Sequence, residues 1–270
     1  MLKIQNLSKT FNKDSENEIK LFENFSLQIE KNKCTALIGP NGCGKSTLLN
    51  IIAGSILMDS GQIILNGKDI SNLKEEERAL YIGRVYQDPS MGVSPSLTIL
   101  ENMSLADKKG EGFGLKKLIK KDNMDKYVEA LKSLGLGLEN KLNTKVKFLS
   151  GGQRQSLSLL MDAIKHPDLL LLDEHTAALD PKTSYVVMKK TKELLDKYQM
   201  STIMISHNMK DAIEYSDRIV MLDGGQIVLD TPSSNISEEE LMAIYKSKLD
   251  KYIDKPKGPS ASKGIIFFSG

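Results

Sequence analysis

The residues Gly39 to Thr47, GPNGCGKST, carry the densest chemistry in the sequence. They fit the pattern G-x-x-x-x-G-K-[ST], between an apolar run, CTALI at Cys34 to Ile38, and a helix-like stretch, STLLNIIAG. In that order of strand, loop and helix, backbone N–H groups converge on a phosphate and the positive end of the helix adds to the field. Gly39, Pro40, Asn41, Gly42, Cys43 and Gly44 would form the cradle. Lys45 would reach the β- and γ-phosphates, the Ser46 hydroxyl would hold Mg2+, and Thr47 would sit beside the α-phosphate. Converging N–H dipoles and Lys45 favour a thiolate at Cys43, so alkylation there should inactivate the protein and bound nucleotide with Mg2+ should protect it.

A second group is DLLLLDE, Asp168 to Glu174, an apolar strand ending in two carboxylates. Consecutive residues leaving a strand point in different directions, so Asp173 can face a metal while Glu174 polarises an attacking water. Either residue taken alone could instead cap the next helix. A third is LSGGQRQ, Leu149 to Gln155. A helix start with bare glycine N–H groups is a second place for an anion, which suggests a second nucleotide.

The elements that must position these groups form an α/β pattern. Residues 1–88 read as strands and turns around the phosphate loop (MLKIQNL, FSLQIE, CTALI, SGQIILNG, YIGRVYQ). From about Pro89 to Leu149 helical stretches take over, with Val128, Leu131 and Leu134 at helical spacing. Helices and apolar strands then alternate: SLSLLMDAIK, DLLLLDE, a helix around 182–198, STIMIS and the hairpin RIVMLDGGQIVLDT. SEEELMAIYKSKL opens with a capping box, Ser237 with Glu240, and KPKGPSASKGIIFFSG reads as a disordered tail.

Composition is that of a globular chain of 270 residues, 40% hydrophobic and 27% charged. A net charge of +2 gives no basic signature for nucleic acid. Cys34 and Cys43 fall on a strand and in the phosphate loop, a poor disulfide framework that fits a reducing cytosol. The start lacks a signal-peptide core, and the apolar runs fall short of the ~20 residues that span a bilayer, so a membrane role would be peripheral. The Lys-rich piece at 108–122 reads as a solvated helix face or as one that meets lipid headgroups.

Taken together, LSGGQRQ, the phosphate loop and DLLLLDE resemble the ATP-binding subunit of ATP-binding-cassette (ABC) transporters. The resemblance implies a phosphate-loop NTPase core with an antiparallel β subdomain and a helical subdomain. It places an ATPase domain over 1–233, helical insertion at about 89–160, a C-terminal helix at 234–254 and a tail at 255–270. Ser150, Gly151, Gly152 and Gln153 would be the signature that contacts the ATP held by a partner copy. Gln87 would sense Mg2+ and the attacking water, and His207 would touch the γ-phosphate, so Lys45, Gln87, Glu174 and His207 form the catalytic set. Ser46, Gln87 and Asp173 would serve Mg2+, and Asp180, in AALD, would lie in the loop crossing the dimer interface. Phe11 would stack on adenine, though a core-packing role is open, and Ile19 would pack on adenine or ribose. His166 and His175 are read as structural; His175 stands where most members have Pro, and Ala177 where many have Ser.

One phosphate loop and one signature per chain imply a homodimer. GRVYQDPSMG, LSGGQRQSLSLLMDA and DEHTAALDPKT are similar to the group paired with binding-protein-dependent bacterial importers, some linked to amino acids such as tryptophan. The implied partners are integral permease subunits docking near Asp88 to Asn102 and an extracytoplasmic solute-binding protein, with the chain on the cytoplasmic face of the membrane. An exporter ATPase, or a soluble cassette of the iron–sulfur assembly type, would use the same engine.

Overall fold

The structure is a computed structural model that describes residues 1–108, 119 and 123–253. The chain runs β1 (Leu2–Phe11), β2 (Ile19–Ile29), β3 (Cys34–Ile38), α1 (Lys45–Ala53), β4 (Ser60–Leu65), β5 (Lys68–Asp69), α2 (Glu75–Arg78) and β6 (Ile82–Val85). It continues through α3 (Ile99–Asp107), α4 (Met124–Leu134), α5 (Gly151–Ala163), β7 (Leu169–Asp173), α6 (Pro181–Tyr198) and β8 (Thr202–Ile205). The last elements are α7 (Met209–Glu214), β9 (Arg218–Asp223), β10 (Gln226–Pro232) and α8 (Glu238–Ile253).

The central sheet has six strands in the order β10-β9-β3-β8-β7-β6, parallel except for β10. Strands covered on both faces read as unbroken apolar runs. Accordingly CTALI is buried throughout β3, TIMI throughout β8, and Leu169 to Leu172 along β7.

Side-chain alternation splits these strands between two cores. Ala36, Ile38, Leu170, Leu172, Met204 and Ile219 face a core shared with α3 through α8. Leu37, Leu169, Leu171, Ile203 and Val220 face a second core with α1 and an antiparallel sheet of order β2-β1-β4-β5.

The helices start where capping chemistry permits. Thr98 and Glu101 form a reciprocal box at α3, Ser150 and Gln153 at α5, and Ser237 and Glu240 at the start of α8, while Asp180 caps α6 ahead of Pro181. The segment leading from β6 to α3 is organised by buried Asn102, which accepts from the Ser94 N–H at 2.7 Å and donates to the carbonyls of Ser94 and Thr98. Among the described residues no helix is long and apolar enough to cross a membrane. The expected tail at 255–270 and most of the Lys-rich piece lie outside the described residues.

Candidate functional site: a phosphate loop and two carboxylates at the strand ends

The phosphate loop joins β3 to α1 at the carboxyl end of the central sheet, where ligands of open α/β sheets bind. Gly44 precedes α1 with φ 107, and a Cβ there would lie 2.8 Å from the Phe22 ring, so only glycine suits the position. No side chain caps α1, which leaves its first-turn N–H groups free to face an anion. Lys45 is buried, and its Nζ donates to the carbonyls of Gly39 at 2.7 Å and Pro40 at 3.0 Å. Phosphate oxygens can take over these bonds without breaking the loop. Asn41, Gly42 and Ser46 are exposed and Thr47 half-buried at its mouth.

Cys43 departs from expectation. Its side chain turns into the core and is 2% exposed, and burial pushes the thiol above its usual range against the opposing pull of Lys45. The expectation of a reactive thiolate is therefore overturned: the loop dipoles surround Cys43, but its sulfur faces apolar neighbours instead of water.

At the end of β7 the two carboxylates diverge. Asp173 Oδ1 accepts from the Ser46 hydroxyl at 3.3 Å, which places two hard oxygen donors side by side at the start of α1. Glu174 takes the left-handed conformation, φ 48, which turns it away from Asp173. Its Oε1 meets His207 Nε2 at 2.6 Å, beyond the end of β8. Asp173 and Gln87 line a cavity of about 670 Å3 together with Arg84, Tyr86 and Asp88, whereas Glu174 and His207 line a separate one of about 280 Å3 with Ala177, Leu179 and Ser184.

Among the described residues no cluster of three or more His, Cys, Asp or Glu side chains could hold a metal. One hydroxyl and one carboxylate fit Mg2+, which keeps waters and takes phosphate oxygens as its remaining ligands.

Ser150 to Gln153 sit apart from both cavities. The Gln153 N–H donates to Ser150 Oγ at 3.2 Å, and the Ser150 N–H to Gln153 Oε1 at 3.1 Å. Gly152 is required by packing, since a Cβ there would lie 2.3 Å from Thr183 Cγ2 of α6. Asp180 accepts from the Thr183 N–H at 3.1 Å, so its carboxylate caps α6 at the same contact.

His175 is buried, and its Nε2 contacts Thr191 Oγ1 of α6 at 3.0 Å; burial pulls its pKa down to about 4. His166 stacks edge-on against Tyr198. Phe11 is half-buried in neither core and pairs across strands with exposed Ile19, which weighs against the core-packing alternative.

Two contacts near the site escaped the sequence reading. Gln155 is fully buried, and its Nε2 donates to the Tyr86 carbonyl at 3.0 Å, tying α5 to the residue before Gln87. Arg84 pairs with Asp173 at 3.2 Å. Neither has a local signal, because the partners are 69 and 89 residues away.

A parallel sheet that ends in a phosphate loop, with a hydroxyl–carboxylate pair beside it and a second carboxylate on a histidine, defines a phosphate-loop ATPase. The signature helix narrows the class, and the chain belongs to the ABC transporter family, whose description matches residues 22–177. A tyrosine transport ATP-binding protein of Clostridioides difficile (strain R20291) is 47% identical over 91% of this chain and 99% of its own length. The phosphonates import ATP-binding protein PhnC of Alcaligenes faecalis is 34% identical, over 91% of this chain and 88% of its own. The ATP-binding cassette MJ0796, solved as a dimer in a post-hydrolysis state with ADP and Pi, superposes with a TM-score of 0.72 at 29% identity. That match covers 86% of this chain and 99% of MJ0796.

Proposed function

We propose that this ATPase energises uptake of an amino acid or similar small solute through a separate permease. The observation that carries its ATPase chemistry is the division at the end of β7, with Asp173 on Ser46 and Glu174 on His207. Glu174 polarises the attacking water, His207 holds that carboxylate and reaches the γ-phosphate, and Lys45 with the α1 N–H groups neutralises phosphate charge. Ser46, Asp173 and Gln87 would hold Mg2+, which when bound neutralises charge on the β- and γ-phosphates. Phe11 stacks on the adenine.

Two copies face each other so that Ser150 to Gln153 of one meet the ATP on the phosphate loop of the other, with the loop around Asp180 crossing between them. ATP supplies the charge that draws the copies together, and its hydrolysis lets them part. The stretch from Asp88 to Asn102 takes a cytoplasmic segment of the permease, so the chain works on the cytoplasmic face of the membrane. Import of an amino acid, delivered by an extracytoplasmic binding protein, draws support from the tyrosine transport and phosphonates import relatives.

Affinity purification of the tagged chain from gently solubilised membranes tests this. We expect a multi-span permease to come with it, and ATP turnover to rise when an amino-acid-loaded binding protein is added. A chain that stays in the soluble fraction and turns over ATP without a membrane partner would contradict the reading.

A further inference from the structure

Arg84 lies on β6, the edge strand of the central sheet. The register pairs Arg84 with Leu171, so Arg84 and Tyr86 share the sheet face of Leu171 and Asp173. That face meets α1, which carries Ser46. Along it the guanidinium reaches Asp173 Oδ2 at 3.2 Å, while Oδ1 of the same carboxylate takes the Ser46 hydroxyl. The Arg84 side chain is 13% exposed and Asp173 15%, so water screens the pair weakly. The guanidinium also lies over the Tyr86 ring, 4.7 Å from its centroid. Its Nε is buried with no hydrogen-bond partner among the described residues, and the guanidinium sits between Asp173 and the ring.

We propose that Arg84 is a resident counter-cation for Asp173 that works against the metal ion and sets the affinity of the site for it. The inference rests on the reading of Asp173 as a metal carboxylate. A fixed positive charge on one oxygen of Asp173 repels a doubly charged ion drawn to the other, and it withdraws negative charge from the donor. A carboxylate and a hydroxyl so neutralised bind free Mg2+ poorly. The ion is retained only when the phosphates of a nucleotide add their own oxygens. Arg84 thereby favours metal–nucleotide over bare metal. Glu75 lines the cavity that also holds Arg84, Tyr86 and Asp173, so replacing Arg84 leaves a more acidic surround that strengthens the pull on a cation.

The test compares binding of a non-hydrolysable ATP analogue in EDTA and in excess Mg2+, taking the ratio of the two dissociation constants as the gain from metal. Arg84→Gln and Arg84→Met should raise that gain about 3- to 10-fold, with binding in EDTA changed less than about threefold, and Arg84→Lys should keep the gain of the unmodified chain. Thermal melts without metal identify any variant that fails to fold, and the other of the Gln and Met pair then carries the comparison. An unchanged or smaller gain in a folded Gln or Met variant overturns the proposal. A purely structural Arg84 would lower the melting temperature and leave the gain unmoved. Asp173→Asn separates the two levels. If it abolishes the gain while the Arg84 variants leave it unchanged, only the Arg84 inference fails; if it keeps the full gain, the metal reading of Asp173 fails and takes the inference with it.

Discussion

The molecule has two glycine-rich helix starts, at α1 and at α5, and they are finished differently. At α1 no side chain caps the first turn, Lys45 is buried beneath the loop, and the Ser46 hydroxyl already leans on Asp173. At α5 the N–H of Gln153 is satisfied by the Ser150 hydroxyl and its own side chain returns the bond. An uncapped helix start with a lysine binds a phosphate by itself. A capped one has fewer donors to offer, and the Ser150 hydroxyl that caps it is exposed. On the proposed reading the first helix start binds a nucleotide, and the second completes a site held by another copy.

The largest effect that can sharpen this contrast belongs to the first region. Glu174→Gln should lower ATP turnover about 10²- to 10⁴-fold, the usual contribution of a general base, while ATP affinity stays within about threefold. Steady-state turnover with an equilibrium binding assay measures both. Normal turnover would remove Glu174 from the chemistry.

The second expected effect concerns the strut between the regions. His175 joins the end of β7 to Thr191 of α6, and burial holds its pKa near 4 against an ordinary 6.5. The folded chain therefore binds this proton less readily than the unfolded one. The stability tied to a neutral His175 is complete above pH 6.5 and is lost as pH falls towards 4, in total about 3 kcal/mol. Unfolding free energies of wild type and His175→Gln should accordingly converge as pH drops from 7 to 4. Curves that stay parallel would place His175 in water.

The smallest effect lies at α5. Gly152→Ala pushes a methyl group against Thr183, which should destabilise the fold by about 1–3 kcal/mol in denaturant titrations. Nucleotide affinity of the isolated chain should not change, because the first region is untouched. A marked loss of affinity would join the two regions into one site and break the contrast.

The legible parts of the fold were those written in short range. Apolar runs at CTALI, DLLLLDE and STIMIS gave the buried parallel strands, and S-x-x-E at Ser237 gave the start of α8. The phosphate loop and the pair of carboxylates at the end of an apolar strand were readable for the same reason, since each is written within a few residues. Long-range packing decided the rest. The left-handed turn at Glu174, the sulfur of Cys43 facing the core and the pairing of Arg84 with Asp173 all follow from how β3, β6, β7 and α1 meet. No local pattern encodes those meetings.

If each active site is shared between two copies, mixing two differently disabled variants will show it. Lys45→Ala disables the phosphate loop and Ser150→Arg the signature, so each variant alone should be inactive. Equimolar mixing should restore ATP turnover to about a quarter of wild type, because half of the dimers would be mixed and each of those would hold one intact site. Turnover that stays at the level of the separate variants would show that loop and signature act within one chain, and would contradict the account.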